Sequence, residues 1–482
     1  MYMGIDLGTS SVKAVLVDES NQVVATASAS IQVSRPQPLW SEQDPETWWR
    51  ATCAAVGELG LQKDLARVRA TGLSGQMHGA TLLDAADRPL RPSILWNDGR
   101  SAQACRELEL RAPNLREISG NLAMPGFTAP KLLWVREHEP KIFAQVRRVL
   151  LPKDYLRLRM TGEHASDCSD ASGTLWLDVG KRDWSDALLA ACELSRDAMP
   201  TLFEGSAVTG TLREDVATEW GMARVPVAAG GGDQAAGAIG MGVIEPGDAS
   251  LALGTSGVLF VAGEQFRPFP EHAVHAFCHA LPGRWHQMSV ILSAASCLSW
   301  VTRLTGAASE SALLKEIAED ERPSEDLLFL PYLSGERTPH NDPNATGVFA
   351  GLTHDTSRAQ LGRAVLEGVA FALADGQAAL VESGTHIHEI NVLGGGAQSP
   401  LWGKILAAAL GQPLIYRSGS HVGPALGAAR LARLSLGDET PEDVCPKPPV
   451  AHVAEPEPAL VSHYAHRKEA YRRLYATLRG EN

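Results

Sequence analysis

Two carboxylates stand where glycine turns would expose them to a ligand. Asp6 lies in the apolar run Met1-Tyr2-Met3-Gly4-Ile5-Asp6-Leu7, directly before Gly8-Thr9-Ser10-Ser11. A carboxylate in such a run is costly to bury unless something pairs with it, and a metal would do so. The backbone N–H groups of the turn and the Thr9 hydroxyl suit phosphate oxygens. An aspartate that merely closes a hairpin is the alternative. The same Leu-Gly-Thr-Ser returns at Leu253-Gly254-Thr255-Ser256, again between apolar runs. Two facing turns of this kind can grip successive phosphates of one nucleotide.

Asp233 follows Gly230-Gly231-Gly232 at the end of an apolar run that begins at Val225. Glycines allow a sharp strand-to-helix turn and close ligand approach, which leaves Asp233 at or near a helix N-terminus. There it can cap the helix, or accept a proton from a sugar hydroxyl attacking a terminal phosphorus, a contribution of ~10²–10⁴ in rate. Gly394-Gly395-Gly396-Ala397-Gln398-Ser399 also joins an apolar run to a helical one and leaves room for a flat base or ribose. Neither glycine run completes Gly-x-Gly-x-x-Gly, and the chain has no Gly-x-x-x-x-Gly-Lys-Ser/Thr loop and no His-Arg-Asp loop. Two common ATP-site designs are thereby excluded.

Sugar hydroxyls are read by polar groups of fixed geometry beside apolar faces. Gly75-Gln76-Met77-His78-Gly79 offers that mixture after a short strand at residues 67–70, and Trp96-Asn97-Asp98-Gly99-Arg100 offers it again. A structural histidine and a solvated turn are the bland alternatives. His272, His275, Cys278 and His279 suggest a transition metal such as zinc if the segment is helical, since His275 and His279 would then share a face, whereas a strand over 273–279 would separate Cys278 from the histidines.

These residues require α/β scaffolding. Residues 1–7 and 12–17 read as a hairpin, residues 249–253 and 258–261 as a second one about half a chain later, and strands alternate with helices between them. Two halves built on one plan follow, divided at the turn-rich segment 243–248 into residues 1–244 and 245–482. Asp44-Pro45 begins a helix with Trp48-Trp49 on its apolar stripe, and residues 464–479 form a closing helix with Tyr471, Leu474 and Leu478 on one side. A formal charge of -13 makes nucleic acid and anionic membrane surfaces poor partners. No secretory signal, no long uninterrupted apolar window and seven scattered cysteines point to a reduced, cytoplasmic protein.

Together these segments resemble the FGGY carbohydrate kinases over nearly the whole chain. Gly4-Ile5-Asp6-Leu7-Gly8-Thr9-Ser10 and Gly254-Thr255-Ser256-Gly257 look like the two phosphate hairpins of that family, and residues 126–138 and 347–367 are similar to its signatures. Trp40-Ser41-Glu42-Gln43-Asp44-Pro45, residues 75–79 and Leu333-Ser334-Gly335-Glu336-Arg337-Thr338-Pro339 look like the members that act on xylulose. The resemblance implies an α/β, two-domain actin-like ATPase (ribonuclease H-like) fold with an interdomain catalytic cleft. It implies ATP-dependent phosphorylation of D-xylulose on O5, with another pentulose or gluconate as the alternative. It makes Asp233 the proton acceptor, Asp6 a catalytic carboxylate at Mg²⁺ and phosphates, and Met77, His78, Asp233 and Gln234 the substrate-binding set. Gly8, Thr9, Gly254 and Thr255 would hold phosphates, and Gly395, Gly396, Ala397 and Ser399 adenosine. Gln234 departs from the asparagine common in xylulose-specific members. A homodimer is a family-level expectation, and an actin-like ATP switch without sugar chemistry is the reading from another class.

Overall fold

The computed structural model describes residues 1–320, 326–394, 399–418 and 423–480. Tyr2–Leu7 and Ser11–Val17 form the first hairpin, with Ile5 opposite Ala14 and Asp6 opposite Lys13. Branched and apolar side chains on these strands are buried, so the hairpin sits in the middle of a sheet. That sheet runs Val208–Thr211, Pro226–Ala228, Ala70–Gly75, Tyr2–Leu7, Ser11–Val17, Val23–Ser30, and Gly231–Gly232 also pairs with Ala70–Gly75. The second hairpin, Asp248–Leu253 with Gly257–Gly263, is central to another sheet. Its order is His275–Cys278, Trp285–Ile291, Gly257–Gly263, Asp248–Leu253, Glu389–Leu393, Leu414–Arg417, Val450–Ala454.

The two sheets repeat one plan. In each, three antiparallel strands are followed by two parallel ones, Ala70–Gly75 and Pro226–Ala228 in the first, Glu389–Leu393 and Leu414–Arg417 in the second. This is the two-sheet α/β, actin-like architecture that the paired hairpins imply. The strand expected at residues 67–70 instead runs from Ala70 to Gly75. Its glycines and serine weaken the periodic signal, yet Gly72 is required because a neighbouring helix lies directly on the strand.

That helix, Gly423–Leu434, comes late in the chain but packs on the first sheet. A methyl group at Gly4 or Gly72 would run into the carbonyls of Ala425 or Ala428, and one at Gly427 into the carbonyl of Ala236. The helix therefore touches Tyr2–Leu7, Ala70–Gly75 and the helix Asp233–Met241 backbone to backbone. Arg430, 4% exposed, donates to the carbonyls of Ile239 (2.9 Å) and Gly240 (3.0 Å), satisfying the C-terminus of Asp233–Met241.

Helix Arg358–Glu382 is long and apolar enough to cross a membrane by composition, but most of it is buried as the central helix of the second half. The closing helix is Pro458–Arg479. It docks through tyrosines, with Tyr471 donating to Tyr332 (2.8 Å) and Tyr464 to Glu367 (3.0 Å), while Leu478 is exposed. Of the expected face, Tyr471 is buried and Leu474 packs against the core, whereas Leu478 is corrected to an exposed residue in the last turn; Tyr464 and Tyr475 complete the docked side, their hydroxyls finding partners. We expect Gly427→Ala to cost about 1–3 kcal/mol or more through overpacking. A lowered thermal midpoint, measured by calorimetry, would show it, and an unchanged midpoint would refute the backbone contact.

Candidate active site

A cavity of about 280 Å³ opens between the halves. Met77, His78, Trp96, Phe127, Asp233 and Gln234 line it from the first, and Ser256, Val258, His275, Phe277, Val290 and Arg337 from the second. A separate cavity of about 190 Å³, around Gly247, Arg267, His286 and His388, contains none of the residues picked out from sequence.

Asp233 is the first residue of helix Asp233–Met241. Gly232 occupies the cap position, so Asp233 is not the cap, and its Oδ1 accepts only from the neighbouring Gln234 N–H at 2.7 Å. Burial, then the negative charge of Asp6, pushes its carboxyl up to about 7, against that backbone N–H. Asp6 lies opposite Ser74 on the adjacent parallel strand. Burial pushes its carboxyl up to about 6, opposed by the Ser74 hydroxyl and the Lys13 charge, and Asp6 Oδ1 is a buried acceptor without a hydrogen-bond partner. The Asp6 charge is thus felt at Asp233, and one Asp6 oxygen is left without a partner.

The Asp233 turn is held from below by buried charges. Lys153 Nζ lies 2.5 Å from Asp154, 2.7 Å from Asp167 and 3.1 Å from Asp170, all fully buried. Burial pushes the Asp170 carboxyl well up against the opposing Lys153 charge, with Asp154 and Asp167 adding to the push, and Arg157 lies 3.8 Å from Asp154. Arg157 donates to the carbonyls of Ala228 (2.8 Å) and Ala229, and Ser169 links Asp167 (2.5 Å) to the Gly232 N–H (3.2 Å). The strand end before Asp233 is therefore fixed by ionic hydrogen bonds rather than by apolar packing alone.

A chain of side chains ties the first turn to the cavity. Trp48 Nε1 donates to Gln43 Oε1 (2.9 Å), Gln43 Nε2 to the Thr9 carbonyl (2.7 Å), and Gln76 Nε2 to Gln43 Oε1 (2.9 Å). Thr9 Oγ1 donates to Gln76 Oε1 (3.1 Å) and accepts from Trp96 Nε1 (3.0 Å). An indole can only donate, so Trp48 and Trp96 orient both amides and commit the Thr9 proton to Gln76. The hydroxyl expected to meet phosphate is thus already engaged, and the Gly8 N–H donates to the Ser11 carbonyl (3.0 Å). The second turn is anchored by Thr255, whose carbonyl accepts from Ala294 N (2.8 Å) and Ser296 Oγ (2.7 Å), while Gly254 and Thr255 are exposed.

His78 sits at φ 69, in the left-handed region, and Lys131 holds it there by donating to the His78 and Gly126 carbonyls, both at 2.8 Å. His78 Nδ1 donates to the Gly173 carbonyl (2.7 Å). Burial then pushes the ring down to about 3 despite that bond, so Nε2 is a lone pair available to a sugar hydroxyl. Met77 is nearly buried, its sulfur packed against Gly232 beneath Asp233. In the segment 96–100 only Trp96 faces the cavity. Asp98 and Arg100 pair with each other (2.7 Å), and Arg100 also bonds Glu42 (2.7 Å), so they build the wall instead of reading a ligand.

Residues 275–278 form a strand, which places His275 and Phe277 on the cavity while Cys278 packs towards the Val179 carbonyl (3.5 Å). The shared helical face proposed for His275 and His279 therefore does not exist. Ser399 caps helix Pro400–Leu410 by accepting from Trp402 N (3.3 Å), and Gly395, Gly396 and Ala397 lie outside the described residues. Phe127, Phe277 and Arg337 are cavity residues that sequence reasoning gave no ligand role, and His275 was considered only as a metal ligand. Phe127 and Arg337 fell within family-like motifs, but local spacing carries no sign of where they point.

Two repeated sheets, paired glycine turns and a carboxylate at a helix start within the intervening cleft define a phosphoryl-transfer enzyme of the actin-like class. Residues 1–240 match the FGGY family of carbohydrate kinases, N-terminal domain, and residues 249–436 its C-terminal domain. The chain belongs to the FGGY family of carbohydrate kinases, for which ATP is a substrate. It is 58% identical over 479 residues to a xylulose kinase of Escherichia coli, covering 99% of each chain. It is 56% identical over 480 residues to a xylulose kinase of Klebsiella pneumoniae, again covering 99% of each. A solved structure of a xyloylose kinase from Brucella ovis superimposes with TM-score 0.97 at 50% identity, covering 100% of both chains.

The tautomer derived for His78 is directly observable. Nitrogen NMR of selectively labelled protein should show a neutral ring protonated on Nδ1 throughout about pH 5–8. Titration of His78 near the usual imidazole value would contradict the buried assignment.

Proposed function

We propose that this chain transfers the terminal phosphoryl group of ATP to O5 of D-xylulose, giving D-xylulose 5-phosphate within D-xylose catabolism. The observation that carries the mechanism is Asp233, set in the inter-half cavity with its carboxyl poised near 7. A base of that strength accepts a hydroxyl proton near neutral pH without holding it too weakly or too tightly. Asp233 takes the O5 proton as O5 forms its bond to the γ-phosphorus. The bond from that phosphorus to the bridging oxygen breaks, and ADP leaves with the electron pair. His78 Nε2, Gln234 and the apolar face of Met77 orient the sugar, and most of the rate arises from this alignment in a site screened from water.

Gly8, Thr9, Gly254 and Thr255 hold the phosphates in this reading, and Gly395, Gly396, Ala397 and Ser399 the adenosine. The orphaned Asp6 Oδ1 fits Mg²⁺, which when bound supplies charge neutralisation to the phosphates. The division at residues 244/245, a cytoplasmic location and a homodimer belong to the same proposal. Cysteines that are all free support a reducing compartment, and the family resemblance supports the dimer.

Coupled ADP release, with and without Mg²⁺, should give D-xylulose the highest kcat/KM in a panel with D-ribulose and gluconate. Preference for either competitor overturns the substrate assignment. Asp233→Asn should lower kcat by about 10²–10⁴ and retain nucleotide binding. Protonated Asp233 cannot accept a proton, so kcat/KM should fall as pH drops through about 7. A cation at Asp6 removes the like-charge push and moves that limb lower, and a flat profile would exclude Asp233 as base.

A further inference from the structure

The sugar-side cavity holds a cation contributed by the second half. Arg337 follows the buried Glu336 and lines the space with His78, Asp233 and Gln234. Its Nη1 lies 3.3 Å from His275 Nε2, and the protonation of that ring follows from its other contact. Asn121 Nδ2 donates to the carbonyls of Ser119 (2.7 Å) and Ala276 (3.0 Å), so Asn121 Oδ1 is left as an acceptor. His275 Nδ1, 3.0 Å from that oxygen, must be the donor. Burial and the Arg337 charge keep the ring neutral, and its Nε2 lone pair receives the guanidinium N–H. The cation is steered by a neutral group and not neutralised.

Glu336 is turned to the backbone: its Oε1 accepts from the N–H groups of Leu292 (2.9 Å) and Arg337 (2.7 Å), and burial pushes the carboxyl up to about 8, which weakens it as a counter-ion. Its charge still acts on Arg337. A partly desolvated guanidinium whose side-chain contact is a neutral imidazole is well satisfied by an electron-rich oxygen, and the cavity it faces is where a ligand would bring one.

We propose that Arg337 is a specificity-determining residue that reads the C1–C2 hydroxyketone end of the sugar, with His275 fixing its direction. The proposal rests on the sugar-kinase reading above and adds a contact from the opposite half. Asp233 and His78 hold the sugar from one half and Arg337 from the other, so the ligand itself spans the cleft. A matched aldonate, with a carboxylate in place of the hydroxyketone, fits the same cation and competes with the ketose.

The test is steady-state kinetics of wild type, Arg337→Met and Arg337→Lys with D-xylulose, and inhibition by D-xylonate. Losing a charged hydrogen bond should raise KM for D-xylulose about tenfold to hundredfold in Arg337→Met, with kcat changed far less. Arg337→Lys keeps the charge without the planar fork and should recover part of the loss. D-xylonate should compete with the sugar in wild type and lose most of its affinity in Arg337→Met. An unchanged KM in Arg337→Met overturns the proposal, as does a fall in kcat with sugar KM unmoved, which would place Arg337 on the phosphates. If Arg337→Met fails to fold, judged by its melting curve, Arg337→Lys decides: a raised sugar KM supports the contact and an unchanged one overturns it. Preference of wild type for a different sugar sinks the substrate assignment separately, and the Arg337 shift is then read on that sugar.

Discussion

Backbone contact between helix Gly423–Leu434 and the first sheet fixes where the two halves meet. The contact is possible because Gly4, Gly72 and Gly427 carry no side chain at the points of closest approach. It clamps the strand that carries Asp6 and the helix that begins with Asp233 against an element lying between the second sheet's strands in sequence. Arg430 adds specificity to the same seam by closing the C-terminus of the Asp233 helix.

Electrostatics at the site follow from that geometry. Asp6 and Asp233 come from elements that share one packing partner; burial weakens both as acids, and the Asp6 charge adds to the shift of Asp233. The cost is tolerable because the surrounding frame is rigid: the Lys153 cluster, the Arg157 contacts and the Ser169 bridge hold the strand end and turn that carry Asp233. Across the cleft the logic is inverted. Burial lowers the His275 ring well below its usual value, and the Arg337 guanidinium lines the cavity opposite His78 and Asp233.

Much of this was legible in the chain. The paired Leu-Gly-Thr-Ser turns, the Asp44-Pro45 helix start and the glycine run before Asp233 each declare themselves within a few residues, because turn chemistry and capping are local properties. Asp6 was recognisable for a similar reason, since a carboxylate inside an apolar strand is out of place unless it has work to do. On the last helix Tyr471 and Leu474 were placed on the docked side from periodicity, but Leu478 lies in the final turn and is exposed, because periodicity does not show where the body of the protein ends.

Other assignments depended on contacts between distant segments. Nothing near Thr9 reveals that its proton is held by Gln76, nor does anything near Asp98 and Arg100 show that they bond each other and face away from the cavity. His275 looked like a possible metal ligand until a strand pairing turned Cys278 to the other side. Local sequence was sufficient for the hairpins, the two out-of-place carboxylates and the family, because each is encoded by residue type and short spacing. The composition of the cavity wall, with Arg337 and His275 opposite His78 and Asp233, came from the packing of one half against the other, which no short stretch of chain encodes.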